Sequence, residues 1–220
     1  TLQKCDSVLE KIVLQDKKVP GAVVCVVKED KIIYEKACGY QQLIPEEIPM
    51  SSQSIFDLAS LSKCLGTSIA VMQLVEQGRI NLDDPVDKYL SGYRNWHKEN
   101  GQEVKIRIRH LLTHTGGLAS YINVDSLAGI WEEAREDSLK NYIIRDLPRI
   151  SEAGKKRNYS CPSFVSLQYI VEEVSGQRLC DYVQENVFDP LGLKHSRYLP
   201  LGEKIPADWE GKIVPSELLI

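Results

Sequence analysis

In the stretch Phe56-Asp57-Leu58-Ala59-Ser60-Leu61-Ser62-Lys63, a serine stands three residues before a lysine. A serine hydroxyl is a poor nucleophile at neutral pH and needs a base beside it. Side chains at i and i+3 share one face of a helix, so on a helix Ser60 and Lys63 can touch. The start of a helix also favours a developing negative charge. A nucleophile, a candidate base and an electrostatic sink then fall within one turn, and the chemistry they could perform is acyl transfer through serine. The competing reading is a helix-capping serine followed by a solvated lysine. To act as a base, Lys63 needs a pKa brought toward neutrality by burial or a nearby cation.

The elements that must position this turn can be read from periodicity. Leu58, Leu61, Leu65, Ile69 and Met72 recur at helical spacing, and Gly78 ends the run. Upstream, Leu2, Cys5, Val8, Leu9, Ile12 and Val13 define one face of a helix over residues 2–16, which Pro20-Gly21 breaks. Ala22–Val27 and Ile32–Ala37 read as a hairpin around a charged turn, with the first strand fully buried. Downstream, Asp83-Asp84-Pro85 opens a short helix, and residues 91–104 read as loop. Further helical patterns cover Arg107–Leu112 and about 138–147, 163–175 and 178–188, the last two ended by Gly176 and by Pro190 with Gly192. Early strands followed by helices suggest an α+β fold with a mainly helical subdomain. A two-stranded hairpin is marginal alone, and no further strand is obvious before Ile220. The chain ends in Glu217-Leu218-Leu219-Ile220 without a stop signal, so it reads as the first part of a longer fold.

Composition narrows the function classes. The net charge is 27 − 31 = −4 and no long Lys/Arg run occurs, which argues against a nucleic-acid partner. No apolar segment reaches the roughly 20 residues of a membrane helix. Residues from Thr1 onward show an amphipathic helix pattern, not a signal peptide. The six cysteines (Cys5, Cys25, Cys38, Cys64, Cys161, Cys180) form no C-x-x-C pair and have no histidine at metal-ligand spacing. They read as reduced structural thiols, Cys64 as core and Cys161 as a small filler or, alternatively, a reactive thiol at the cleft. No metal or organic cofactor is required by the chemistry.

Several segments, in this order, resemble the serine β-lactamase and penicillin-binding-protein superfamily in its class C and esterase-like branch. They are Pro20–Val24, Phe56–Lys63, Arg109-His110-Leu111-Leu112-Thr113-His114-Thr115-Gly116-Gly117-Leu118, Asn158-Tyr159-Ser160 with its following helix, and Pro190-Leu191-Gly192-Leu193. The S-x-x-K turn is a known element of relatives of this group. The resemblance implies a β-lactamase/transpeptidase-like fold: a helix and hairpin over residues 1–50, a mainly helical subdomain over 51–200 that carries the nucleophile, and the start of a return to the sheet over 201–220. The remaining sheet strands would lie past Ile220.

The same resemblance implies Ser60 as nucleophile, with Lys63 and Tyr159 sharing proton transfer; which of the two takes the serine proton stays open. The family's second motif is Tyr-x-Asn, and here it reads Tyr159-Ser160-Cys161. Cys161 stands where the substrate-contacting asparagine belongs, and it lacks an amide's paired donor and acceptor. This favours an esterase or peptidase over an efficient β-lactamase. Two literal Tyr-x-Asn triplets also occur, Tyr93-Arg94-Asn95 and Tyr121-Ile122-Asn123; the first carries little weight, while Tyr121 could border the cleft and contact substrate. His114-Thr115-Gly116 matches the third motif in letters but precedes the second, so His110 and His114 read as structural. The true third motif would follow Ile220 and supply an oxyanion donor, whose loss typically costs on the order of 10²–10³ in rate. The expected activity is hydrolysis, through an acyl-enzyme, of a carboxylic ester, a peptidoglycan stem peptide or a β-lactam; the resemblance implies the cell envelope, periplasmic or extracellular, with the cytoplasm as the alternative. The partner is thus a small-molecule or peptide substrate. The rival reading is a catalytically impaired binding domain or fragment of this fold.

Overall fold

The β-branched residues after Pro20-Gly21 pair as a hairpin in the computed structural model, which describes residues 2–123, 135–199 and 202–215. Strand β1 (Gly21–Lys28) runs antiparallel to β2 (Lys31–Gln42), with Val24 opposite Lys36. Glu29 and Asp30 turn between them with φ of 49° and 61°, the paired positive values a two-residue hairpin turn uses. A third strand, β3 (Ile48–Pro49), pairs with the other edge of β2, so the sheet order is β1-β2-β3. Its two residues are too few for alternation to show in the sequence. The expectation that β1 is fully buried is wrong: its residues are intermediate or exposed, and Val27 is 61% exposed. Among the described residues β1 pairs only with β2, which leaves its other edge uncovered.

Two compact units emerge, Thr1–Ala59 with Leu201–Ile220, and Ser60–Pro200. In the first, helix α1 (Gln3–Glu10) continues in wider turns through Lys11–Gln15. Only Leu9 and Val13 of its apolar face are buried, whereas Leu2, Val8 and Ile12 are exposed. The helix is tied to β2 by Lys36, whose ammonium lies 2.6 Å from Asp6 and 3.1 Å from Glu10. Those carboxylates push the Lys36 pKa well above the ordinary lysine value. Residues 202–215 rejoin this unit through an Ile55–Ile213 bridge and a Gln41 Nε2 to Gly211 carbonyl bond of 2.9 Å. The expected ending Glu217–Ile220 lies outside the described residues.

The second unit is helical. The turn Lys63–Thr67 leads into α2 (Ser68–Glu76), followed by α3 (Ile108–Leu112), α4 (Arg135–Asn141) with Tyr142–Asp146, α5 (Cys161–Ser175), and α6 (Leu179–Val183) with Gln184–Phe188. Leu74, Ile106, Ile108, Leu111, Ile143, Leu167, Ile170 and Val183 form its fully buried centre. Each such side chain contributes about 1.5–3 kcal/mol by leaving water. Two expectations fail here. The stretch read as loop contains a small hairpin, β4 (Trp96–His97) with β5 (Glu103–Val104). The helix after Ser60 turns the other way: Leu61, Leu65 and Met72 are exposed, while Gly66, Thr67, Ala70, Val71 and Leu74 are buried. Both faces are apolar, so periodicity could not choose between them, and the face with small residues is the one that packs. Tyr198 lies so close that a Cβ at Gly66 would overlap its hydroxyl. Cys64, expected in the core, is exposed with the first stripe, and among the six thiols only Cys38 is buried.

Candidate active site

Tyr159 owes its position to the way α5 begins. Ser160 caps the helix in an extended conformation, its Oγ accepting the Ser163 N–H at 3.2 Å, with Pro162 in the first turn. The residues before the helix dock along the segment that follows α3. Asn158 N–H donates to the His114 carbonyl at 2.8 Å, Ser160 N–H to His114 Nδ1 at 3.1 Å, and Cys161 N–H to the Ser120 carbonyl at 2.9 Å. Asn158 Nδ2 adds a bond to the Leu118 carbonyl at 2.9 Å. Ser160 and Ser163 are buried, and Tyr159, immediately before them, points outward, 36% exposed.

Ser60 opens the other side of the site. Ala59, immediately before it, has φ of 43°, a left-handed conformation that costs a residue with a Cβ about 1–2 kcal/mol. The Asp57 carboxylate accepts the Ala59 N–H at 2.8 Å and stabilises this bend. Lys63 N–H returns to the Ser60 carbonyl at 3.2 Å, closing the first turn. Tyr198 donates to the Ser62 carbonyl at 3.2 Å and pins the same turn from outside the helix.

The two sides meet at Ser60 Oγ. Lys63 Nζ donates to it at 3.2 Å, and Tyr159 Oη lies 2.7 Å away. The Lys63 ammonium also sits 5.4 Å from the centre of the Tyr159 ring, within cation–π range. Burial works against the Lys63 charge, but the neighbouring Tyr159 and Cys161 side chains outweigh it, so its pKa lies above the ordinary lysine value. This opposes the downward shift a lysine base requires. Lys63 is a held ammonium in this arrangement.

Of the residues the sequence singled out, Ser60, Lys63 and Tyr159 are gathered in one cluster, and Cys161 stands near enough to favour the Lys63 charge. Tyr121 is 71% exposed, one residue past the Ser120 carbonyl that holds Cys161 N–H, and its hydroxyl is not among the groups bonded to Ser60. Tyr93 is a core residue, 3% exposed, and Asn95 is buried in a polar network with Asp87, Glu103 and the Ile106 N–H. His114-Thr115-Gly116 forms the turn after α3, not a strand. His110 accepts the Arg107 N–H at 3.2 Å and closes the start of α3. Sequence reasoning missed Tyr198 entirely, since it sits in irregular chain, and underrated His114, whose ring centre lies 4.5 Å from that of Tyr159. Among the described residues no cluster of three or more His, Cys, Asp or Glu side chains is arranged to hold a metal ion, and no helix is long and apolar enough to cross a membrane.

Known proteins share this framework. The chain is 32% identical over 210 residues to an N-acetylmuramyl-L-alanine amidase of Bacillus subtilis (strain 168), covering 91% of this chain and 47% of that protein. It is 30% identical to a protein of Escherichia coli O157:H7 named "Putative D-alanyl-D-alanine carboxypeptidase", covering 84% and 45%. The chain thus spans about half the length of the curated relatives it matches. Among solved structures, EstCE1, described as a hydrolase with promiscuous acyltransferase activity, superposes with a TM-score of 0.72 at 25% identity, covering 87% of this chain and 51% of that one. The Beta-lactamase family model matches residues 9–216, and with nearly the whole chain inside that match, this protein belongs to the Beta-lactamase family, within the serine β-lactamase and penicillin-binding-protein superfamily.

Proposed function

We propose that this chain carries the nucleophilic centre of a serine hydrolase that works through an acyl-enzyme. The observation that carries the reading is the convergence of Lys63 Nζ at 3.2 Å and Tyr159 Oη at 2.7 Å on Ser60 Oγ. Because Lys63 keeps its proton, the role of base is assigned to the deprotonated form of Tyr159, whose Oη lies 2.7 Å from Ser60 Oγ. Ser60 Oγ bonds to the substrate carbonyl carbon, and its proton passes to Tyr159 Oη. The phenol then returns that proton to the leaving oxygen or nitrogen as the scissile bond breaks. Water, activated by the same phenolate, releases the acyl group and restores Ser60.

Substrates are a carboxylic ester, a peptidoglycan stem peptide or a β-lactam. The relatives' names, an amidase, a carboxypeptidase and a hydrolase with acyltransferase activity, all describe acyl chemistry and support this class. Cys161 in place of the motif's asparagine favours an ester or peptide over a β-lactam, and Tyr121 is assigned to the rim of the substrate site. Action on wall peptides would place the protein in the cell envelope. The test is covalent labelling with a fluorophosphonate and a fluorescent penicillin, mapped by mass spectrometry. One adduct on Ser60, absent in Ser60→Ala, supports the reading; no adduct on folded protein sinks it in favour of a binding role.

A further inference from the structure

We propose that His114 is a positioning residue that holds Tyr159 in reach of Ser60 only while its imidazole is neutral. The inference rests on the serine-hydrolase reading for its catalytic consequence, but its geometry stands alone. His114 brackets Tyr159 on both sides along the chain: its carbonyl accepts the Asn158 N–H at 2.8 Å, and its Nδ1 accepts the Ser160 N–H at 3.1 Å. Its ring also lies on the Tyr159 ring, with centres 4.5 Å apart and planes tilted by 38°, and on Phe164 at 5.1 Å. Three contacts from one residue thus fix the backbone on either side of Tyr159 and the plane of its ring.

The backbone of His114 is held in the left-handed region, φ 57°, to make this possible. A residue with a Cβ pays for that conformation, and outside glycine it is tolerated best by asparagine, aspartate and histidine. The strain is consistent with a specific role, since a turn alone would be served by glycine.

The Nδ1 contact works in one protonation state. Neutral imidazole offers one nitrogen as acceptor, whereas imidazolium has a donor at both. On protonation an N–H at Nδ1 faces the Ser160 N–H, and the bond becomes a repulsion. The charged groups that face His114 are Lys63 on the nucleophile turn and Arg157 on the segment leading to α5, both positive, with Tyr159 the titratable group stacked on it. Burial, then Arg157 and Lys63, lower the His114 pKa below its ordinary value of 6.5, so the ring is neutral at pH 7. The folded state thus binds this proton less readily than the unfolded chain. Stability and the Tyr159 geometry are intact above pH 6.5 and are lost as pH falls from there through the lower folded value.

The experiment combines Ser60 labelling rates with NMR of the full chain. Wild-type labelling by a fluorophosphonate is measured from pH 8 down to about pH 5, within histidine's titration range. His114→Asn keeps a side-chain acceptor and tolerates positive φ but loses the ring over Tyr159; it is expected to label more slowly than wild type at neutral pH and to lose the acid limb. His114→Phe keeps the ring over Tyr159 but not the acceptor; it is expected to lose about tenfold or more at every pH, the size of one lost orienting contact. Wild-type NMR reads the second arm: the imidazole nitrogens should show Nδ1 unprotonated at pH 7, and the Tyr159 ring signals should shift with the His114 midpoint. A Phe variant that labels like wild type with its acid limb intact overturns the proposal. So do Tyr159 signals that stay still through the His114 titration, and this arm decides if the Phe variant does not fold. If wild-type protein takes no label at any pH, the hydrolase reading fails, and the NMR arm alone judges the positioning role.

Discussion

Two tyrosines in the helical unit have nearly the same immediate neighbours and different fates. Tyr159 Oη lies 2.7 Å from Ser60 Oγ, with the Lys63 ammonium 5.4 Å from its ring centre. Tyr93 Oη lies 3.0 Å from Ser166 Oγ, with the Arg149 guanidinium 4.7 Å from its ring centre. Both are tyrosine–serine pairs beneath a cation, and both tyrosines begin a literal or near-literal Tyr-x-Asn triplet. The difference lies in what else each partner touches. Ser166 Oγ donates to the Pro162 carbonyl at 2.9 Å and is fully buried. Arg149 spends its donors on the carbonyls of Arg94 at 2.8 Å and Leu147 at 2.7 Å. Burial pushes the Tyr93 pKa up, which keeps that phenol protonated. Every polar atom there is committed to the fold. At Ser60 the cation points at the serine oxygen itself, and Ser60 and Tyr159 are exposed. A tyrosine–serine–cation triad therefore becomes a candidate for chemistry only when the cation and the serine are left facing a substrate.

Paired substitutions break this comparison most sharply at the serines. Ser60→Ala should abolish covalent labelling and leave thermal unfolding unchanged, because the hydroxyl is exposed and caps nothing. Ser166→Ala should leave the labelling rate intact and destabilise the fold by about 1–3 kcal/mol, since it strands the buried Tyr93 hydroxyl. Labelling kinetics and denaturant unfolding on the same preparations read both effects. Loss of labelling in the Ser166 variant, or its survival in the Ser60 variant, would mean the roles are assigned to the wrong pair. The tyrosines come next. Tyr159→Phe should slow labelling by about 10²–10⁴, the range for a lost acid–base group, with unfolding unaffected. Tyr93→Phe should cost only about 0.5–1.5 kcal/mol, because Ser166 keeps its bond to Pro162, and should label normally.

What could be read from the chain follows from how local each feature is. Ser60 and Lys63 lie within one helical turn, so their contact was legible from spacing. Tyr159 reaches Ser60 across 99 residues, and only the order of family-like segments pointed to it. The literal triplet at Tyr93 shows why letters alone mislead: its role is decided by burial, which a triplet does not encode. The helix after Ser60 was assigned the wrong inward face because it is apolar on two sides, and the choice was made by Gly66 and Ala70, whose small size admits close neighbours. The hairpin β1–β2 was found, but the exposure of β1 was not, since a β-branched run looks the same whether one face of the sheet or both are covered. His114 and Tyr198 act through contacts with distant backbone and left no periodic trace.

The cations separate the two triads in a pH-dependent way. Lys63→Met should slow labelling by about 10²-fold or more, as expected when charge compensation of a proton-transfer group is removed, with little change in stability. Arg149→Met should do the reverse, costing about 1.5–3 kcal/mol for a lost charged hydrogen bond and leaving labelling intact. Because the Lys63 pKa is raised in the fold, its cation and the stabilisation it brings are fully present below the ordinary lysine value of 10.5, and both fade as pH climbs through the higher folded value. Labelling should therefore persist into strongly alkaline solution for as long as the protein stays folded. A labelling rate that rises with pH through a midpoint well below 10.5, and does so in Tyr159→Phe as well, would show that Lys63 is not a held ammonium and would return the role of base to it.

The smallest effect concerns the bend that presents Ser60. Ala59→Gly removes the Cβ penalty at φ 43° and should stabilise the folded chain, partly offset by the greater freedom glycine gives the unfolded chain, for a net change within about 1 kcal/mol. The same change loosens the residue directly before Ser60, so labelling should slow by a small factor, about two- to fivefold, while stability holds or rises. Ser166 has no such strained neighbour: Val165 lies inside α5, so relief of strain is not available to the structural pair. Urea unfolding and labelling rates measured together decide the point. A variant that is less stable and labels no more slowly would mean that the bend at Ala59 serves the fold, and that Ser60 is positioned by its contacts with Lys63 and Tyr159 and by the Tyr198 bond to Ser62.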